Sequence, residues 1–188
     1  RDLGAQAAKR LGVEQVFIDA QSPSDVADPA LVDLIHGAGV IYFSGGNPTY
    51  LARTLAGSPL LEAIRSEWHA GASLAGCSAG AMAIAGYVPN LRHPRSGGTA
   101  GFGFVPHLHV LPHFDRYSSW IPDFAAPLLE GDDHEVVGID EDTALVAEPD
   151  DGEFWTFRPM GRQKAWVVTS QGQREIDAIA TKVAAAAL

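Results

Sequence analysis

The sequence predicts an α/β domain with a mostly parallel sheet covered by helices on both faces and antiparallel strands added late. Strand-like and helix-like segments alternate through the first half, the pattern of βαβ units. Val40 to Phe43 is a continuous apolar run, VIYF, suited to a parallel strand buried on both faces. After residue 135, short β-rich runs follow one another across acidic or glycine turns, the pattern of hairpins.

Taken in order, Leu3, Ala7, Ala8 and Leu11 recur at a helical period, predicting a helix over 2–11 closed by Gly12. The chain starts inside this helix, with no initiator Met, no signal-type segment and no preceding strand. An upstream segment carrying the N-terminal strand is therefore expected to be missing. Val13 to Ile18 is a short β-rich run. Asp28 and Pro29 form an N-cap and first-turn proline for a helix through Leu31, Leu34 and Ile35. The strand Val40–Phe43 ends in Ser44-Gly45-Gly46-Asn47-Pro48, a tight turn that opens another helix. Leu60 to His69 is a helix stopped by Gly71, Ala72 to Cys77 a strand, and Ala79 to Ala85 a small-residue helix. Residues 89–101 read as a loop, Val105 to Leu111 as extended, and Ser118 to Leu129 as a helix. Val136–Ile139, Ala144–Ala147, Phe154–Phe157 and Ala165–Val168 are the late β runs. Residues 174–187 read as a final helix with Ile176, Ile179, Ala180 and Val183 on one face.

The length of 188 residues fits one domain, 1–188, with no internal repeat and no linker, large enough to bury a core without a disulfide or metal staple. With 46% hydrophobic and 19% charged residues, wholesale disorder is excluded. Thirteen basic against twenty-three acidic residues give a net charge of −10, which argues against a nucleic-acid partner. No apolar run approaches the roughly 20 residues that span a bilayer, so no membrane association is expected. The single cysteine, Cys77, rules out an intrachain disulfide framework and CxxC metal knuckles. These features describe an acidic, cytoplasmic protein.

The stretch Leu74-Ala75-Gly76-Cys77-Ser78-Ala79-Gly80-Ala81 carries the clearest chemistry. It holds G-x-S-x-G centred on Ser78, between a predicted strand and a predicted helix, the context of a nucleophile elbow. Glycines two positions before and after permit a sharp, crowded turn, and the helix behind it offers unpaired N–H groups to a developing oxyanion. Cys77 is a rival nucleophile, but Ala75 stands where a glycine is needed, so its side chain is expected to point into the core. A serine nucleophile needs a base. Among seven histidines, His36 and His69 sit near helix C-termini, where capping is the default role. His113 follows a β run at a strand end, where open α/β sheets build their sites. His107, His109, His113 and Asp115 raise a metal alternative, but Pro112 interrupts the strand and no H-E-x-x-H pattern exists. No metal and no other cofactor is expected.

Four motifs occur in sequence: Ser44-Gly45-Gly46-Asn47-Pro48, Gly76-Cys77-Ser78-Ala79-Gly80-Ala81, Pro112-His113-Phe114 and Gly138-Ile139-Asp140-Glu141-Asp142-Thr143-Ala144. Together, over roughly residues 10 to 150, they resemble peptidase family S51, which includes dipeptidase E (aspartyl dipeptidase) and cyanophycinase. The resemblance implies a three-layer α/β/α sandwich with a flavodoxin-like sheet, similar to class I glutamine amidotransferases. It implies Ser78 as nucleophile and His113 as catalytic histidine, with Gly46 and Ala79 supplying oxyanion N–H groups. The implied reaction is cleavage of a small peptide or isopeptide through an acyl-enzyme.

The sequence departs from the family at the third triad member. The family places an acid some fifteen to twenty residues after the serine, yet no Asp or Glu lies between Ser78 and His113. Asp115 and Glu141 are the acidic candidates, and Asn90 is an amide alternative for orienting His113. The remaining alternative is a weakly active or non-catalytic ligand-binding relative. Asn47 and Arg116 are candidate substrate contacts, Arg116 by pairing with a carboxylate, against its reading as a surface arginine. Arg92 and Arg95 weakly favour an acidic substrate. The apolar face of the C-terminal helix packs either on the domain or on a second copy as a homodimer.

Overall fold

Two parallel ladders position the chemistry-bearing turns. β1 (Val40–Phe43) pairs with β2 (Ser73–Gly76), Val40 opposite Ser73 and Phe43 opposite Gly76. β5 (Leu108–Pro112) pairs with β6 (Glu135–Ile139), Leu108 opposite Glu135 and Pro112 opposite Ile139. The computed structural model describes residues 2–90, 93, 96–117, 128–129, 133–148 and 152–184.

α1 spans Asp2–Leu11, α2 Pro29–Asp33, α3 Pro48–Leu55 and α4 Pro59–His69. The last three begin with one device. Asp28, Asn47 and Ser58 cap them, their side chains accepting from the N–H groups of Ala30, Tyr50 and Leu61, and a proline occupies the first turn of each. α5 (Ala79–Ile84) leaves the end of β2 and packs on β1, β2 and β5. After its end, Ala85 forms a parallel bridge with Val105 in the segment leading into β5, and the Gly86 N–H donates to the Leu108 carbonyl of β5 (3.2 Å).

β3 (Tyr87–Pro89) and β4 (Gly98–Ala100) form an antiparallel pair inside the stretch predicted as a loop. Proline and glycine in 89–101 masked strands of only three residues each. α6 (Phe114–Tyr117) is a single turn after β5. The late strands are β7 (Thr143–Val146), β8 (Phe154–Gly161), β9 (Ala165–Thr169), β10 (Gly172–Glu175) and β11 (Ile179–Lys182). β6 joins the two regimes, pairing in parallel with β5 on one side and antiparallel with β9 on the other. β8 lies between β7 and β11. The fold is thus mixed α/β with parallel ladders at its centre and antiparallel strands added late, as the sequence predicts.

Ile41, Phe43, Leu60, Leu61, Ile64, Phe102 and Phe104 form one core, and Leu108, Val110, Val137, Ala165, Ile176 and Ile179 a second. Val137 is fully buried, a side chain whose removal from water is worth about 1.5–3 kcal/mol. Among the described residues, no helix is long and apolar enough to cross a membrane.

The structure corrects several sequence-based expectations. Over its described part, up to residue 184, the predicted helix 174–187 is instead the end of β10 followed by β11. Ile179, Thr181 and Val183 are buried at the period of two that a strand imposes, and the spacing of Ile176, Ile179 and Val183 imitated a helical face. The homodimer expectation based on that helix loses its basis. β1 buries one face only: Ile41 and Phe43 are covered, whereas Val40 and Tyr42 are 65% and 60% exposed. Val13 to Ile18 joins no ladder among the described residues, and Val13, Val16 and Phe17 are exposed. Pro112 is the last paired residue of β5, so the strand does end before His113, as the sequence predicts. Most of the predicted helix Ser118–Leu129, and both Arg92 and Arg95, lie outside the described residues.

Candidate active site

Ser78 stands between β2 and α5 with φ 52° and ψ −115°, a backbone conformation that costs a non-glycine residue about 1–3 kcal/mol. The flanking glycines explain how the chain reaches it. A Cβ on Gly76 would stand 2.6 Å from the carbonyl carbon of Gly80 and 2.8 Å from the amide nitrogen of Ala81. A Cβ on Gly80 would collide with the carbonyl of Phe43 in β1. Gly76 therefore lets α5 fold back on β2, and Gly80 lets α5 press on β1. The Cys77 N–H donates to the Phe43 carbonyl (3.1 Å), extending the β1–β2 ladder to the edge of the elbow. The result is a serine lifted out of the sheet at the carboxyl ends of β1 and β2.

Cys77 does not point into the core: it is exposed, and its thiol meets the Tyr42 phenol on the uncovered face of β1. That hydrogen bond, with burial second, pushes Tyr42 up to about 12.

The turn after β1 comes close to the serine. A Cβ on Gly45 would lie 3.3 Å from Ser78 Cβ and 3.8 Å from its Oγ. Gly46 has φ 141°, a conformation that side-chain-bearing residues rarely adopt. Asn47, a predicted substrate contact, accepts the Tyr50 N–H at 3.0 Å, so its carbonyl oxygen caps α3. Ala79 opens α5, where first-turn N–H groups have no partner within the helix.

His113 sits at the end of β5 with φ 56°. Its Nε2 lies 2.9 Å from Ser78 Oγ, and its Nδ1 3.0 Å from Glu141 Oε1. A carboxylate accepts only, so Nδ1 carries the proton and donates to Glu141, while Nε2 accepts from the serine hydroxyl. The β5–β6 register brings the acid to this position. Pro112 opposite Ile139 sets the two strand ends side by side, with His113 leaving one and Asp140-Glu141 the other.

Glu141 is held in turn. Arg116 Nη2 donates to its Oε2 at 2.6 Å, and its backbone N–H donates to Asp115 Oδ1 at 2.9 Å. Its neighbour Asp140 points inward. At 7% exposure, Asp140 accepts from the Trp166 indole (3.0 Å) and the Lys164 N–H (3.3 Å), anchoring the β6–β7 turn to β9.

The structure thus brings Ser78, His113, Glu141, Asp115 and Arg116 together, with the Gly45-Gly46 turn alongside. Asn90 accepts from the His93 N–H and donates to the Ser96 hydroxyl, while both nitrogens of His113 already have partners in Ser78 and Glu141. The resemblance implies an acid soon after the serine, but the acid that meets His113 comes from the turn after β6, the strand beside β5, within the Gly-Ile-Asp-Glu-Asp-Thr segment.

The other histidines stand apart. His36 pairs with Glu67 at 3.1 Å on the surface. His107 and His109 lie at the start of β5, the opposite end from His113. The His107 Nδ1 donates to the Asp133 carbonyl, and His109 stacks on His134 with ring centroids 3.8 Å apart. Burial pushes His109 down to about 4, with the charge of His134 assisting and that of Asp133 opposing. Among the described residues, no group of three or more His, Cys, Asp or Glu side chains is arranged to hold a metal ion.

A family model described as peptidase family S51 matches residues 5–154. Among solved structures, a peptidase from an acI-B1 Actinobacterium is 40% identical, with a TM-score of 0.81 over 96% of this chain and 74% of that one. A candidate peptidase E from Listeria monocytogenes EGD-e is similar in fold at 16% identity, with a TM-score of 0.54 over 97% of this chain and 77% of that one.

Proposed function

Because the chain belongs to peptidase family S51, we propose that it is a serine-type peptidase that cleaves a small peptide or isopeptide bond through an acyl-enzyme on Ser78. The observation that carries this reading is the continuous hydrogen-bonded line from Ser78 Oγ through His113 to Glu141, at 2.9 Å and 3.0 Å. Nucleophile, base and orienting acid are all within hydrogen-bond reach, which is the geometry such a mechanism requires.

In the reaction, His113 Nε2 takes the Ser78 proton as Oγ attacks the scissile carbonyl. The N–H groups of Gly46 and Ala79 hold the oxyanion of the tetrahedral intermediate. His113 returns its proton to the leaving amine, leaving the acyl group on Ser78. Water, deprotonated by the same imidazole, then releases the acid product and regenerates the serine. Glu141 fixes the tautomer that leaves Nε2 free to accept and stabilises the imidazolium formed in each half-reaction. Dipeptides of the dipeptidase E type and isopeptides of the cyanophycinase type are the substrate classes to screen first.

The test is labelling by a fluorophosphonate probe, with the modified residue located by mass spectrometry. Labelling at Ser78 is expected, lost in Ser78→Ala and strongly slowed in His113→Ala. A folded wild-type protein that takes no label, or takes it at another residue, overturns the proposal.

A further inference from the structure

The turn that supplies His113 also grips both ends of Glu141. Three residues of one short segment reach the same acid. His113 donates to Oε1 at 3.0 Å, Arg116 donates to Oε2 at 2.6 Å, and Asp115 accepts the backbone N–H at 2.9 Å. A glutamate has three side-chain torsions between backbone and carboxylate, and fixing them all in one geometry costs conformational entropy. Here the base of the side chain is fixed by Asp115 and its tip by Arg116, so the oxygen left for His113 is already aimed.

Resting on the serine-peptidase reading above, we infer that Arg116 is a positioning residue for Glu141 and acts on the reaction through it. The sequence suggests Arg116 as a receptor for a substrate carboxylate, but its Nη2 is committed to Glu141. The salt bridge itself contributes little to stability, since Arg116 is 64% exposed and exposed pairs are worth about 0–1 kcal/mol. Its effect is geometric. A guanidinium donating to Oε2 prevents the carboxylate from rotating away from the imidazole.

The test is kinetic and spectroscopic, on Arg116→Gln, Arg116→Lys, Glu141→Gln and the double variant Arg116→Gln/Glu141→Gln. In Arg116→Gln, kcat is expected to fall about tenfold, the usual scale for losing a group that orients a functional side chain, with KM little changed. Arg116→Lys is expected to recover part of the loss. The double variant is expected to be no slower than Glu141→Gln alone, because the two residues act as one unit.

The rate of fluorophosphonate labelling gives the same comparison without a peptide substrate. The proton NMR signal of the His113 Nδ1–H, identified by its loss in His113→Gln, reports the hydrogen bond without any reaction. It is expected to weaken or shift in Arg116→Gln. This readout separates the two proposals: a protein that cleaves no peptide but shows the NMR change fails the peptidase reading and keeps the positioning role. A rise in KM with unchanged kcat and NMR signal would make Arg116 a substrate contact and overturn the inference. Additive effects in the double variant, or no change in any readout, also overturn it.

Discussion

Phe114 packs directly on Gly138, so closely that a Cβ added to the glycine would stand 2.7 Å from the ring atom Cε2. Phe114 is 2% exposed and follows His113, while Gly138 lies three residues before Glu141, so the contact sets how closely the two turns approach. Gly138→Ala is expected to push the ring and its turn away from β6. Overpacking of this kind costs about 1–3 kcal/mol. The denaturation midpoint should fall, and fluorophosphonate labelling should slow even under conditions where the variant is fully folded. A variant with wild-type midpoint and labelling rate would show that the two turns are set by other contacts.

Glu141→Gln removes the acceptor that fixes the His113 tautomer. A glutamine amide donating to Nδ1 would move the ring proton to Nε2, where it opposes the serine hydroxyl. The loss in kcat is expected to approach the scale of about 10⁴ seen when a triad acid is neutralised, with KM little affected. Glu141→Asp shortens the side chain by one methylene and cannot hold both His113 and Arg116, so an intermediate loss is expected. Steady-state kinetics within a few-fold of wild type for Glu141→Gln would remove Glu141 from the mechanism.

Legibility followed the range over which each signal acts. The elbow was readable because Gly76, Ser78 and Gly80 are local: each glycine answers a steric demand within four residues or against the neighbouring strand. The capped helices were readable for the same reason, with Asp28, Asn47 and Ser58 each preceding a proline. The His113–Glu141 pair depends on the β5–β6 register, a contact across 28 residues that no local spacing encodes. Glu141 was therefore only one acidic candidate among others until the strands were paired. The C-terminal segment failed for a further reason: Ile176, Ile179 and Val183 recur at spacings of three and four, which imitates a helical face, whereas Ile176 lies between the strands and within β11 the buried Ile179 and Thr181 recur at two.

Gly45 sets how close the β1 turn can approach the nucleophile. Gly45→Ala would place a methyl group 3.3 Å from Ser78 Cβ, in the space an attacked carbonyl needs beside Oγ. Because Gly45 is exposed, folding is expected to be unaffected. Activity is expected to fall by about 10²-fold, comparable with losing one oxyanion donor. The check pairs kinetics with a thermal melt. A variant of unchanged activity would place the bound carbonyl on another side of Ser78, and one that fails to fold would give Gly45 a structural role instead.

His109 predicts how stability responds to acid. Its ring packs between Tyr87 and His134, with centroids 5.1 Å and 3.8 Å away, and its buried Nδ1 has no hydrogen-bond partner among the described residues. Burial lowers it from 6.5 to about 4, so between those values the unfolded chain binds a proton that the folded chain refuses. Stability from this group is complete above its unfolded value, declines as pH falls from about 6.5 toward about 4, and levels off below. Because the ring is only partly buried, the contribution is on the order of 1 kcal/mol, well short of what a full shift would give. His109→Phe keeps the ring stacking and removes both the titration and the unpaired nitrogen. Its melting temperature should fall less steeply with acid across this window than that of the wild type. Parallel curves for the two proteins would show that His109 is not the group that senses acid.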